Sequence, residues 1–269
     1  MDLQLKDDGV LVMGGARGIG RAVGKAFAEE GCHVIFSDVD PEVVKVADEL
    51  SERSEGCVSG LTIDALDYGE VTQLAADVRK YLPNIHHVVY AAGVGSGRYG
   101  FPFWNLEPSD WLRVLQVNLI GAVNVAHAFA KTLQESGHGS LLFLTSIAGQ
   151  IGSQTDPPYS AAKAAVINFM QVAAKDLAPY GVRVNAVAPG MVKTDLNQSV
   201  WQAWQDLQDK DDKMSYERWA GEKVRRVVPL GRWQSPEDVA RMAVFLASKA
   251  AINITGQTIN VDGGIVMHS

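Results

Sequence analysis

Apolar runs of strand length alternate with helical patterns along almost the whole chain, and this alternation restricts the fold more than any other property of the sequence. Residues 10–13, 33–37, 58–63, 87–92, 140–145, 182–188 and 257–261 read as strands. Helical spacing marks residues 18–30, 109–135, 159–179 and 236–248. It also marks a helix opened by Pro41 and one whose apolar face carries Val71, Leu74, Ala75 and Val78. Strands separated by helices of this length need right-handed crossovers and give a parallel sheet. No linker interrupts the series, so residues 1–269 are expected to form a single α/β domain of about seven strands with helices on both faces. Two segments break the rhythm: 93–108, rich in glycine, proline and aromatics, and a polar, helix-prone excursion at 195–228. Long connections of this kind are often lids or binding loops.

Composition narrows the function. A hydrophobic content of 47% supplies a full core, and a net charge of −7 disfavours a phosphate backbone, so no nucleic-acid partner is expected. Arg225 and Arg226 read as a solvated pair. No uncharged apolar stretch approaches the roughly 18 residues of a membrane span. The acidic opening residues do not read as a secretion signal, which makes the cytoplasm the expected location. Cys32 and Cys57 read as buried reduced thiols. No metal site is expected: His86 and His87 lack an evident carboxylate or cysteine partner. His138, His268, Asp7, Asp8, Asp206, Asp209, Asp211 and Asp212 read as solvated.

The junction after the first strand carries Gly14, Gly18 and Gly20. A tight turn followed directly by a helix lets backbone N–H groups approach a pyrophosphate, which points to nucleotide binding and away from a (β/α) barrel. Asp38 ends the second strand, where a dinucleotide fold meets the adenosine ribose. A carboxylate there accepts from the ribose hydroxyls and repels a 2′-phosphate, favouring NAD over NADP. Arg17 argues the other way.

Tyr159 and Lys163 lie one helical turn apart, so phenol and ammonium project together. A neighbouring cation, or the positive ring of an oxidised nicotinamide, favours the phenolate and makes Tyr159 a general acid/base. Ser146, at the end of the fifth strand, can polarise a substrate oxygen. Gln150, Gln154 and Asp156 are placed near that oxygen. Trp201 and Trp204 share a helical face, which either caps a substrate pocket or packs the excursion onto the core.

Together these residues resemble the short-chain dehydrogenase/reductase family, in its single-domain branch. The resemblance runs through residues 14–20, Asp64, Asn118 between Val117 and Leu119, Ser146, Tyr159 and Lys163, then residues 189–194. In the tail it takes in residues 229–232, 236–240, 255–257 and 261–264. It implies a doubly wound Rossmann-type sheet and an NAD-dependent alcohol dehydrogenase or ketoreductase. It gives Tyr159 the acid/base role and Ser146 the positioning of the reacting oxygen. Lys163 would lower the tyrosine pKa and hold the nicotinamide ribose, and Asn118 would support a water-linked relay through Lys163. Asp64 would contact adenine, and Val192 and Thr194 the carboxamide. The cofactor set further takes in Ile19, Ala65, Ala92, Gly93, Pro189 and Gly190. Three positions depart from the family pattern. Met13 replaces a threonine that ties the loop, Ala91 an asparagine that braces the sheet, and Gln234 a glycine. The expected reaction interconverts a secondary alcohol and a ketone on a small molecule, with a lean towards a sugar, polyol or sugar-derived acid. An NADPH-dependent 3-oxoacyl-carrier-protein reductase and a non-catalytic nucleotide-binding scaffold or sensor are the alternatives. A homotetramer is implied by the family.

Overall fold

The computed structural model describes residues 2–267, so His268 lies outside the described residues. The strands are β1 (Gly9–Met13), β2 (His33–Asp38), β3 (Val58–Thr62), β4 (His87–Tyr90), β5 (Gly139–Leu144), β6 (Val182–Pro189) and β7 (Thr258–Val261). They form one parallel sheet in the order β3-β2-β1-β4-β5-β6-β7. Each expected strand is present, with ends shifted by a residue or two.

Alternate side chains of the inner strands enter two separate cores, which explains why these strands read as continuous apolar runs. Val10 and Val12 join Val23 and Phe27 of α1 (Gly18–Glu29), Val43 and Val46 of α2 (Glu42–Ser51) and Val239 and Val244 of α9 (Pro236–Ala247). Leu11 and Met13 join the opposite core. It is filled by Leu74 of α3 (Tyr68–Asp77), Phe129 and Leu133 of α5 (Gly121–Ser136) and Val166 and Met170 of α6 (Pro157–Leu177).

The long helix expected at 109–135 is present and carries a π-helical turn within it. It runs from α4 (Ser109–Leu115) through a π-helical turn, Gln116–Ile120, into α5. The 109–136 stretch is long and apolar enough to cross a membrane by composition alone. Here Ala122, Val125, Phe129 and Leu133 bury that apolar face against the sheet. The excursion contains two helices, α7 (Asp195–Gln205) and α8 (Tyr216–Val227).

Three surface expectations change. Cys57 is exposed; only Cys32 is buried. Pro41 lies one residue ahead of α2. Asp8 is half-buried rather than solvated, because the strand register brings His86, His87 and His138 around its carboxylate.

Candidate active site

The strand order reverses at β1, which has β2 on one side and β4 on the other. In open α/β sheets the crevice outside the strand C-termini at this point receives ligands. The glycine loop lies there. Gly14 (φ 91°) and Gly18 (φ 55°) hold the left-handed region that the turn requires. A Cβ on Gly20 would stand 1.9 Å from the Gly14 carbonyl oxygen, so turn and helix are in backbone contact. Helix α1 starts with neither a side-chain cap nor an acidic residue in its first turn, leaving its N–H groups to an anionic ligand.

The threonine tie missing at Met13 is replaced by bonds from β2. Gly14 and Gly15 N–H donate to the Ser37 carbonyl at 2.7 and 3.0 Å. Ala16 N–H donates to Asp38 Oδ2 at 3.0 Å, and Asp40 N–H to Asp38 Oδ1 at 3.1 Å. Asp38 therefore braces the loop with lone pairs still available for ribose hydroxyls. Arg17 is exposed and has no ion-pair partner among the described residues. Across the crevice, the nearest atom to a Cβ placed on Gly18 is Thr194 Cγ2, at 3.9 Å. Val192 is buried and bridged to Gln234, and Gly190 N–H donates to the Val261 carbonyl at 3.0 Å. Asp64 Oδ1 accepts from Leu66 N–H, and the Ala65 carbonyl from Asn124 Nδ2. An open helix N-terminus, a glycine turn and a facing Thr194 fit a dinucleotide.

The reacting groups converge beside this cradle. Ser146 follows β5 and caps a short 3-10 turn, its hydroxyl accepting from Ala148 N–H at 3.1 Å. Asp156 caps α6, and prolines 157 and 158 fill the first turn, which fixes where Tyr159 leaves the helix. Lys163 Nζ is 5.5 Å from the centre of the Tyr159 ring and donates to the Leu144 carbonyl at 2.8 Å. Asn118 lies in the π-turn, a distortion often found at functional sites. Its Nδ2 donates to the Val94 and Val114 carbonyls, while its buried Oδ1 has no partner among the described residues. A Cβ on Gly93 would meet Asn118 Oδ1 at 2.9 Å and Lys163 Nζ at 3.2 Å, so both polar atoms face the space that this glycine leaves.

Burial dominates the electrostatics. It pushes the Tyr159 phenol up to about 12, against the pull of its hydrogen bond with Ser146; the Asp156 carboxylate raises it further. Burial also brings the Lys163 ammonium down to about 7. The lysine alone does not produce the acidic phenol that the spacing suggested. The desolvation that favours neutral tyrosine also disfavours the cation meant to oppose it.

A cleft of about 320 Å³ opens from Ser146 and Tyr159, lined largely by aliphatic side chains including Ile147, Ile151, Val192, Leu196, Val200 and Ile265. Asp156 belongs to it. Its carboxylate accepts from Ser96 N–H at 2.8 Å and Tyr159 N–H at 3.4 Å, and burial raises its pKa. The other expected substrate residues do not line it. Gln150 and Gln154 border a separate groove beside Phe101 and Trp104, and the Gln150 amide donates to Asn260 Oδ1. Trp201 donates to the Met214 carbonyl and packs on Tyr216, and Trp204 packs on Trp219. Spacing placed the two indoles on one face, but that face stabilises the excursion itself.

Residues 14–266 match the family model described as enoyl-(acyl carrier protein) reductase. The chain belongs to the short-chain dehydrogenase/reductase family. It is 31% identical over 266 residues to the 3-oxoacyl-[acyl-carrier-protein] reductase of Aquifex aeolicus, covering 98% of this chain and all of the relative (100%). It is 29% identical over 263 residues to an NAD-dependent glycerol dehydrogenase of Listeria innocua, covering 98% and 95% of the two chains. A provisionally assigned NAD(P)-dependent gluconate 5-dehydrogenase from Beutenbergia cavernae, solved with NADP at low occupancy, superposes with a TM-score of 0.85. Identity is 29%, and the match covers 98% of this chain and 99% of that one. As a family member the chain is an oxidoreductase with a site for a nicotinamide cofactor. This reductase/dehydrogenase also carries a cleft residue that the sequence reading missed, Lys223 of α8. Its spacing from Trp219, one helical turn, was the available signal.

Proposed function

We propose that the chain is an NAD-dependent dehydrogenase that interconverts a secondary alcohol and a ketone, with Tyr159 as general acid/base. The observation that carries this reading is the convergence of Ser146, Tyr159 and Lys163 where the cleft meets the glycine loop. In oxidation the Ser146 hydroxyl holds the substrate oxygen, and Tyr159, once ionised beside a cation, takes its proton as the phenolate. Lys163 stabilises the phenolate, and Asn118 Oδ1 orders a water that links Lys163 outward. A bound nicotinamide would supply the hydride acceptor and a positive charge that favours the Tyr159 phenolate. Asp38, Arg17, Ile19, Asp64, Ala92, Gly93 and Thr194 would contact the cofactor, and the Asp38 charge favours NAD.

Relatives named glycerol dehydrogenase and gluconate 5-dehydrogenase support a small polyol or sugar-derived acid as substrate. A 3-oxoacyl-carrier-protein reductase is the second reading, favoured by the Aquifex relative. Exposed Leu112, Ile120 and Val172 on the long helices support a homotetramer, and two unpaired cysteines support a reducing cytoplasm. The test is NADH formation across sugars, polyols and hydroxy acids by wild type and Tyr159→Phe. The variant is expected to lose about 10²-fold or more in kcat; unimpaired turnover refutes the role. Preferential turnover of acetoacetyl-CoA with NADPH would select the second reading.

A further inference from the structure

Two of the residues lining the catalytic cleft carry full charges in their usual states, and they come from different elements. Asp156 belongs to the cap of α6, and both its oxygens accept backbone N–H bonds. Lys223 belongs to α8, which with α7 forms the wall that the excursion adds to the cleft.

The surroundings of Lys223 are unlike those of its neighbours. On the same helix Glu217 pairs with Lys193 and Arg218 with Glu222, all at exposed positions. Lys223 has no ion pair or hydrogen bond among the described residues. Its Nζ stands 4.8 Å over the Trp219 ring, and the lining nearest to it in sequence, Val227, is aliphatic. Burial disfavours its charged form. A cation left in an apolar wall without a counter-charge is costly, and an anionic group entering the cleft removes that cost. The indole face beneath it orients the ammonium without neutralising it.

We propose that Lys223 is the anion anchor of the substrate site, so that the substrate is a hydroxy acid whose carboxylate meets Lys223 while its carbinol carbon lies at Ser146 and Tyr159. The assignment rests on the alcohol–ketone reading above and deepens it. The carboxylate is a handle, unchanged by the reaction. Asp156, at the Tyr159 end, accepts from hydroxyls next to the reacting carbon and repels a carboxylate, so the acid has one favoured orientation.

The experiment measures calorimetric binding to the NADH-loaded enzyme, a dead-end complex without turnover. The probes are matched pairs: gluconate with glucitol, and 3-hydroxybutyrate with 2-butanol. At least one acid is expected to bind about tenfold or more tightly than its neutral partner. Lys223→Gln should abolish that difference and raise KM for the acid by a similar factor, far more than it changes kcat. Lys223→Arg should restore much of the preference. Neutral members binding as tightly as acids in every pair overturns the assignment. So does acid affinity that survives Lys223→Gln, or an equal loss for acid and neutral partner in that variant. The same titration on Tyr159→Phe, beside a separate assay of its NADH formation from NAD, distinguishes failure of the two readings. Acid preference with undiminished turnover there refutes the acid/base role and leaves the anchor standing.

Discussion

At Tyr159 desolvation outweighs the hydrogen bond from Ser146, and this sets what the cofactor-free protein does. With the phenol held near 12, it stays protonated across the ordinary pH range. A near-ultraviolet titration of the cofactor-free protein is expected to show no phenolate from this residue below about pH 10. Comparison with Tyr159→Phe isolates its signal, and a component ionising near neutrality in wild type alone would contradict the burial argument. Asp38 has two roles that two substitutions can separate. Asp38→Asn keeps an oxygen for Ala16 N–H while removing the charge; Asp38→Ala removes both. Both are expected to narrow an NADH-over-NADPH preference by about tenfold, the scale of one lost charge-assisted bond. Asp38→Ala should lower the melting temperature more than Asp38→Asn, whose amide keeps one of the two acceptor oxygens. Unchanged Kd ratios in both variants would remove the electrostatic basis of cofactor choice.

At the scale of elements, helix α1 lies so close to the sheet that Gly24 carries a packing constraint. A Cβ there would meet the Phe36 ring at 2.2 Å, where Gly24 is buried and the ring is fully enclosed. Helix propensity alone predicts that Gly24→Ala stabilises by ~1 kcal/mol. The overlap predicts the reverse, a net loss of about 1–3 kcal/mol on chemical denaturation. A stabilised variant would mean that the helix can move away from the strand at little cost. The strands and most helices were legible because their signals are local: apolar runs, spacing, and the Pro236 and Ser235 start of α9. The π-turn at Asn118 was not, because it answers tertiary demands. Tyr90 donates its hydroxyl to the Val117 carbonyl from across the core, and Asn118 reaches the loop after β4. The substrate wall was less legible for a related reason. Periodicity says that Trp201 and Trp204 share a face, but not that α8 covers it, and Lys223 gained its role only when the excursion folded back.

Over the whole molecule, the two ends of the parallel sheet do different work. The C-terminal end of the strands holds the cradle and the cleft. The opposite end gathers Asp8, His86, His87 and His138 from segments distant in sequence, which is why the chain read as a string did not reveal the cluster. Asp8 Oδ2 meets His87 Nε2 at 3.2 Å, His87 Nδ1 meets the Ser140 hydroxyl at 2.9 Å, and His86 stacks on His138. His86 Nδ1 accepts from Gly9 N–H at 3.0 Å, so the cluster ties the start of β1 to the segment that enters β4. Burial lowers the pKa of both His86 and His87, outweighing the Asp8 carboxylate that would raise them. For Asp8 burial acts upward, but the three histidines together hold it below the usual carboxylate range. The signs agree. Below about pH 6.5 the unfolded chain binds protons at these histidines that the native state refuses, and each unit of separation costs about 1.4 kcal/mol. Stability is therefore whole above that pH and lost as pH falls through it, with Asp8 adding to the loss at lower pH. Melting temperature is expected to fall steadily from about pH 7 to pH 5, by roughly 2–4 °C for each kcal/mol in a chain of this size. His87→Asn should lower it at pH 8, where the packed imidazole is lost, and flatten its fall with acid, where a titrating group is lost. A wild-type curve that is level across this range, or a variant that falls as steeply, would show that protons do not act through this end of the sheet.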